Sequence, residues 1–451
     1  MITYQDLLEI GEEERNRIDF VRKVINQHKT TDLYRMAKIA EDYRKGKNKT
    51  IVDYQKLLYT VTGKAVPDNY SANYKIPSKF FKRFIVQETQ FLLGNGIQWG
   101  GDTADRLGKD FESQLQKAAK DALAHGEAFG FMNFDHLDVF SLLEFAPLYD
   151  EENGSLRAGI RFWQIDASKP LRATLYEEDG YTEYIWKKRE GNTINEDGQV
   201  YLPKRKYVQN IRESVADGTE IFDGENYPTF PIVPLWGNED HQSELVGIRE
   251  QIDAYDLIKS GFCNTVDEAS MIYWTLENNG GVDDVDLAQF VERMKTVRAA
   301  NTSPETHAEA HTLEAPHESR DALLDRLKSD LYDDYMALDV KNIASGAATA
   351  TEIRAAYEPL NAKADDFEYQ IHDFLDGILA VLGIEDTATF TRSMLVNVQE
   401  EINSVISAAQ FLEESYVTEK ILTILGDADK AEELLRQMDA DDMERLSEGA
   451  E

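Results

Sequence analysis

Apolar residues recur at helical spacing through about the first 60 residues, as at Leu33, Met36, Ala37 and Ala40, with few breakers between them. A polar, glycine-containing loop is expected at 45–49 and another break at 73–77. From Ser78 a helix carries Phe80, Phe81, Phe84, Ile85, Phe91 and Leu92 on one broad face. It should close at Gly94, with Asn95-Gly96 as the following turn. A further helix over 110–125 ends at Gly126. There the period changes from 3.6 to 2. The segments 128–134, 139–145, 157–165, 171–176, 181–187 and 200–208 are rich in aromatic and β-branched residues. Asp/Asn/Gly turns separate them at 152–154, 179–180 and 195–198, a pattern that predicts an antiparallel meander. The string Phe230-Pro231-Ile232-Val233-Pro234-Leu235 ends it as a rigid apolar strand.

Helical spacing returns at Ser243. Ile248, Tyr255, Phe262 and Ala269 fall every seven residues, with Ile252 and Val266 on the adjoining row, which predicts one helix of about 28 residues. A mixed stretch, 271–317, follows. A second long helix is expected over 318–342, with Leu324, Leu331 and Leu338 seven apart and Leu327 beside them. After a run of small residues, a third begins near Thr351. Its stripe is Ile353, Tyr357, Leu360, Ala364, Phe367, Ile371, Phe374, Ile378 and Val381, with Pro359 expected to kink it. Acidic helices over 399–413 and 418–447 complete the chain. The fold class is α+β, mainly helical. Long helices with one apolar stripe each need neighbours, and copies of the same chain arranged head to tail can supply them by closing a ring.

Charge sharpens this picture. The 451 residues hold 48 Lys+Arg against 84 Asp+Glu, a net charge of −36. Such a chain has no general electrostatic hold on nucleic acid or anionic lipid. The imbalance is uneven: residues 1–100 carry 17 basic and 12 acidic residues, and the remaining 351 carry 31 and 72. A hydrophobic fraction of 42% supports real cores. The single cysteine, Cys263, excludes an internal disulfide framework and fits a reducing cytoplasm, as a small buried apolar residue. No basic-then-apolar leader and no membrane-length apolar run is visible, so no membrane insertion is expected.

Candidate chemistry is sparse. Gly46-Lys47-Asn48-Lys49-Thr50 lacks the order of a phosphate loop, and Gly94-Asn95-Gly96 follows a helix rather than a strand. Neither HExxH nor GxSxG occurs. His307, His311 and His317 would suit a metal only on a helix; Pro304, Pro316 and the polar surroundings favour a solvated loop. Asp283, Asp284 and Asp286 lack the glycine and closing glutamate of a calcium loop and suit a solvated acidic turn. No catalytic constellation, metal or cofactor is expected; the remaining enzyme reading is a hydrolase with a scattered site.

Several strings in order resemble the portal proteins of tailed bacteriophages, in the family found in siphoviruses of Gram-positive hosts. They are NYKIPSKFFKRFIVQETQFLLGNGI from Asn73, His125-Gly126-Glu127-Ala128, FPIVPLWGN from Phe230, Ile252-Asp253-Ala254-Tyr255-Asp256 with Ser260, and Ser345-Gly346-x-Ala348 leading into 352–360. The chain departs from the family at Gly237-Asn238, where Asn-Asn is frequent. The resemblance covers about 70–440 and leaves the first 60 residues outside.

The resemblance implies a homo-oligomeric ring, usually of twelve subunits, at one capsid vertex. It would be a conduit for double-stranded DNA in packaging and ejection, and a dock for the terminase large subunit and the head–tail connector or adaptor. Major capsid and scaffolding proteins would be further partners. The location would be the virion, and the host cytoplasm during assembly. It assigns 1–242 to an antiparallel β-rich wing, 243–270 and 318–342 to stem helices, and 271–317 to a small α/β clip. It assigns 343–350 to a tunnel loop, 351–398 to a long kinked helix, and 399–451 to a helical crown and tail. Asn342, Ser345, Gly346, Ala347, Ala348 and Thr349 would line the tunnel; such small side chains let a moving duplex pass closely. Asp283, Asp284, Asp286, Arg293 and Lys295 would be docking candidates in the clip. Asp325, Asp330, Asp333 and Asp334 would repel phosphate if they face the channel and merely solvate the helix if they face outward. The alternative reading is an acidic helical scaffold or interaction protein without a DNA channel.

Overall fold

Gly126 takes φ +91°, a left-handed conformation that glycine adopts without strain, and its N–H bonds back to the Ala122 carbonyl at 2.7 Å. That cap turns helix into sheet. The computed structural model describes residues 2–59, 62–68, 71–188, 196–212, 221–269, 272–277, 289, 292, 307–312, 317–341, 350–393 and 398–425. The helices are α1 (Tyr4–Ile10), α2 (Glu14–His28), α3 (Asp32–Arg44), α4 (Lys49–Val52), α5 (Phe80–Leu93), α6 (Thr103–Leu107), α7 (Phe111–His125) and α8 (Arg249–Ala269). They continue with α9 (His317–Tyr335), α10 (Ala350–Leu382), α11 (Val398–Ala408) and α12 (Glu414–Leu425). The architecture is mainly helical with several antiparallel sheets.

The expected meander divides into two sheets. Strands β1 (Leu57–Tyr59) and β2 (Ala65–Pro67) form a separate pair, and β3 (Ile97–Trp99) pairs with a late strand, Ala388–Phe390. Strands β4 (Glu127–Asn133) and β5 (His136–Ser141) join β13 (Ile232–Trp236) in the order β13-β4-β5. The other sheet holds β6 (Phe145–Tyr149), β7 (Leu156–Trp163), β8 (Leu171–Glu177), β9 (Gly180–Lys188) and β10 (Glu196–Arg205), as a meander ordered β10-β9-β8-β7-β6. The strand expected over 139–145 is broken by a turn in which Glu144 N–H bonds to the Ser141 carbonyl at 3.0 Å. Its two halves therefore serve different sheets. The expected turn at 195–198 is overturned in part: Gly198 lies in β10, opposite Trp186. Strands β11 (Val208–Arg212) and β12 (Ile221–Glu225) form one more pair.

The main core joins α3, α5, α7, β4, β5, the start of α8, the end of α9 and the second half of α10 through residues such as Phe84, Leu123, Ile252, Tyr335 and Phe374. Helices α1 and α2 cover one face of the five-stranded sheet with Leu7, Val21 and Ile25. Arg17 fixes α2 there by a two-pronged bond to Glu177 at 2.9 and 2.8 Å. An aromatic cluster including Phe129, Phe140, Phe145 and Tyr176 lies between the two sheets.

Both long helices are shorter than expected. Residues 243–248 do not belong to α8: Gly247 takes φ +94°, which ends one set of turns before the helix begins. Helix α9 stops at Tyr335. Met336 takes φ +61°, and Ala337 N–H bonds to the Tyr332 carbonyl at 2.8 Å. Leu338 leaves the helix stripe and packs with Phe91, Tyr357, Leu360 and Ala364. Gln87 holds it by two amide bonds, at 2.9 and 3.2 Å, to its carbonyl and N–H. Helix α10 runs through Pro359 as one element. Of the terminal helix expected over 418–447, the described part is within α12, and 426–447 lie outside the described residues. His307 and His311 are not in a loop but in β15 (His307–Thr312), paired antiparallel with β14 (Ile272–Glu277), and His317 begins α9. No metal-holding group of His, Cys, Asp and Glu occurs among the described residues.

Candidate channel helices and the joint that holds them

The buried row of α8 is not the seven-residue stripe. It is the row spaced by four: Ile248 just before the helix, then Ile252, Asp256, Ser260 and Asn264. The last three are polar and only 0%, 3% and 4% exposed. Their cover is the irregular segment 72–79. Asp256 accepts from Ser78 N–H at 2.8 Å, Ser260 Oγ from Ile76 N–H at 3.0 Å, and Asn264 Oδ1 from Tyr74 N–H at 2.7 Å. Four helical residues rise about 6 Å, and two extended residues advance about 6.6 Å, so the two spacings stay in register over three rungs. The extended segment thus runs antiparallel to α8 and finds its backbone partners on a helix rather than in a sheet.

Asp253 and Asp256 also reach the other side. Asn48, the N-cap of α4, donates to Asp253 at 2.8 Å and to Asp256 at 3.0 Å, and Tyr43 donates to Asp253. Burial pushes the Asp256 carboxyl up, against the Asn48 and Ser78 bonds that lower it. The strings NYKIPSK and Ile252-Asp253-Ala254-Tyr255-Asp256 with Ser260, far apart in sequence, are therefore two halves of one joint. A second pair of strings also meets. Glu127 and Ala128 in β4 face Trp236 and Leu235 in β13, and Gly237 N–H bonds to the Gly126 carbonyl at 3.0 Å. A Cβ at Gly237 would lie 2.5 Å from the Ala122 carbonyl oxygen, which accounts for the glycine in this chain.

Beneath the end of α9 lies a buried polar knot. Tyr335 donates to Glu88 at 2.7 Å, and Lys363 sits 3.9 Å from the centroid of the Tyr335 ring. Lys363 pairs with Glu244 and approaches Glu88 at 4.0 Å; Asn238 donates to Glu244 at 2.7 Å. Burial pushes Glu88 up to about 8, against the nearby Lys363 ammonium. One cation faces two carboxylates here, and Glu88 is the further of the two from it. These residues were not singled out from the sequence. The polar residues continuing the row of Ile248 and Ile252 were the available signal for the joint; the knot, drawn from four distant segments, left none.

Helix α9 buries Leu331, Tyr332 and Tyr335. Asp325, Asp333 and Asp334 are exposed, away from those residues, and Asp330 is half-buried and paired with Arg326 at 2.8 Å. Asp334 also accepts from Gln251. Within the single chain none of these four aspartates is buried, and Asp325 and Asp334 lie on the side of α9 that meets α8, near Tyr255 and Gln251. Helices α8 and α9 are linked by Arg320, which donates to Thr265 at 2.8 Å. Leu257, Val266 and Leu323 on this pair are exposed. Asn342, Ser345, Gly346, Ala347, Ala348 and Thr349 lie outside the described residues, as do Asp283, Asp284, Asp286, Arg293 and Lys295. No helix of the described residues is long and apolar enough to cross a membrane.

The chain is 25% identical over 227 residues to the portal protein of Clostridium phage phiCD119, covering 45% of this chain and 50% of that protein. It is 23% identical over 421 residues to the portal protein of Bacillus phage SPP1, covering 86% and 79%. Among solved structures it is similar to the neck of an empty GTA particle computed with C6 symmetry, with TM-score 0.45 and 11% identity over 77% of this chain and 90% of that one. A chain from the virion of a native gene transfer agent particle gives TM-score 0.43 and 12% identity over 76% and 89%. The family model described as phage portal protein, SPP1 Gp6-like, matches residues 22–445, so it takes in most of the N-terminal helices that the sequence strings had left outside. The chain belongs to the family of SPP1 Gp6-like phage portal proteins.

Proposed function

We propose that this chain forms a ring, most simply of twelve copies, at one vertex of the capsid, and that the ring is a non-enzymatic conduit for double-stranded DNA. The observation that carries it is the unfinished state of the α8–α9 pair. Beyond the main core the row that α8 buries is polar, while Leu257, Val266 and Leu323 stay exposed. Such a pair is completed by apolar contact with neighbouring copies. In that ring Asp325, Asp330, Asp333 and Asp334 line the channel, where they repel phosphate and keep DNA from sticking. Residues 343–350, with Asn342, form the tunnel loop. The insertion 271–317, with Asp283, Asp284, Asp286, Arg293 and Lys295, docks the terminase large subunit and later the head–tail connector. The ring stands in the virion and is assembled in the host cytoplasm with major capsid and scaffolding proteins.

End-on electron images of the purified particle should show a ring with an axial hole, and light scattering a mass roughly twelve times that of the chain. A monomer or dimer at physiological salt would overturn the reading. Replacing Ala347 and Ala348 with bulky residues should leave the ring intact and sharply reduce DNA packaging. Normal filling by that variant would remove the tunnel role from 343–350.

A further inference from the structure

Four basic residues of the first hundred, together with Lys120, converge at one place. A cleft of about 480 Å³ between α3, α5 and α7 is lined by Arg44, Lys45, Lys79, Lys82 and Lys120, with Glu41 as its one carboxylate and Ile85 and Val86 as apolar wall. Glu41 is already committed. It pairs with Arg44 at 2.7 Å, Lys45 at 3.0 Å and His125 at 3.3 Å. Burial pushes its carboxyl up, but bonds from His125, Arg44 and Lys45 outweigh this and hold it well below the usual carboxylate range. Arg44 takes a second carboxylate, Asp121, at 2.7 Å. Lys79, Lys82 and Lys120 have no carboxylate within ion-pair distance among the described residues. In a chain with 84 acidic residues, three lysines converging on a cleft whose lining carboxylate, Glu41, is already paired with other cations are a concentration of positive charge.

We propose that this cleft is a phosphate-binding site, which holds the backbone of double-stranded DNA at a place other than the acidic channel helices. Lysine ammonium groups act as point charges suited to phosphate oxygens. Lys79 is the N-cap of α5 and Lys82 lies in its first turn, so both side chains start from the same end of the helix and can reach phosphates of one strand. The low-polarity wall of Ile85 and Val86 reduces screening beside them. The chain then combines two opposite surfaces: α9 repels the polyanion so that it slides, and the α3–α5–α7 cleft holds it.

The test is binding of a 30-bp duplex of arbitrary sequence to the full chain by fluorescence anisotropy, from about 50 to 200 mM salt. The native chain should bind with a log–log salt slope of about −2 to −3, because each phosphate-bound lysine contributes about 0.9. The double variant Lys79→Gln/Lys82→Gln should lose roughly tenfold in affinity at the low end and flatten the slope by nearly 2. Lys79→Arg/Lys82→Arg should retain both, which separates lost charge from damaged folding. Competition by inorganic phosphate at constant ionic strength distinguishes the source: displacement means the cleft also takes free phosphate, and none means it needs a backbone run. An unchanged slope in the Gln variant, or absence of duplex binding by the native chain, overturns the proposal. So does loss of oligomer in the Gln variant with duplex binding intact, which would make the cleft a seat for a neighbouring copy's carboxylates. The conduit reading is tested apart by the end-on image, and a channel that passes DNA without gripping it predicts no such slope.

Discussion

Asp256→Ala should cost about 3 kcal/mol of stability, measured as the shift in urea unfolding free energy, and should release the 72–79 segment from α8. The carboxylate is fully buried and serves two donors at once, Ser78 N–H and the Asn48 side chain. Its removal leaves both without an acceptor in a place water does not reach, and a cavity beside them. Asp256→Asn keeps one oxygen for Ser78 and should cost about 1 kcal/mol, since only the Asn48 contact is lost. Ser260→Ala and Asn264→Ala each remove a single rung and should fall between about 0.5 and 1.5 kcal/mol. The rungs share one strand of backbone, so their effects should not add. Amide hydrogen exchange gives the sharper readout: Tyr74, Ile76 and Ser78 should lose protection together in Asp256→Ala while α5 keeps its own. Unaltered protection at these three amides would show that the segment is held by something other than the ladder.

That joint also shows what the sequence does and does not carry. Local punctuation was legible: Gly94 and Gly126 end α5 and α7 where expected, and the change of period after Gly126 marks the start of β4, because a cap and a periodicity depend on neighbours in the chain. The order of strands β7, β8 and β9 was legible for the same reason. The apolar stripe of α8 was misleading. Periodicity reports which side chains are apolar and does not report what covers a face, and here an extended segment 178 to 190 residues away in sequence covers a polar row. The true helix ends were hidden too. Met336 adopts a conformation that its residue type does not announce, and it is held there by Gln87 gripping Leu338 from another element. The turn after Ser141 sits inside a run of strand-forming residues, so nothing local divides one sheet from the other. The family strings could be matched one by one, yet their reason lies in pairwise contact across the fold.

Replacing Glu88 should change how stability depends on pH, with little effect near pH 5 and the largest effect at pH 9. In the unfolded chain its carboxyl ionises near 4.5; in the fold, burial carries it to about 8. Between those values the folded state holds a proton that the unfolded state has released, so stability is greatest below 4.5 and falls as pH rises through 8. At about 1.4 kcal/mol per pH unit the loss is on the order of 5 kcal/mol by pH 9. Glu88 is surrounded by Tyr335 from α9, Lys363 and Asp366 from α10, and Glu244 from the turn before α8, so its proton joins four segments at the base of the proposed stem. Asp256, Glu127 and Asp366 are also pushed up by burial and add slopes of the same sign, which makes the difference between native and variant the informative quantity. Lys363 is raised in its own partnership and affects stability only above its ordinary value of 10.5, outside this window. Glu88→Gln has no proton to lose and can still accept from Tyr335. Urea midpoints taken from pH 5 to 9 should therefore fall less steeply for Glu88→Gln than for the native chain, with the two curves diverging above pH 5 and the variant more stable at pH 9. Parallel curves would mean that Glu88 is already ionised at neutral pH and that Lys363 serves both carboxylates.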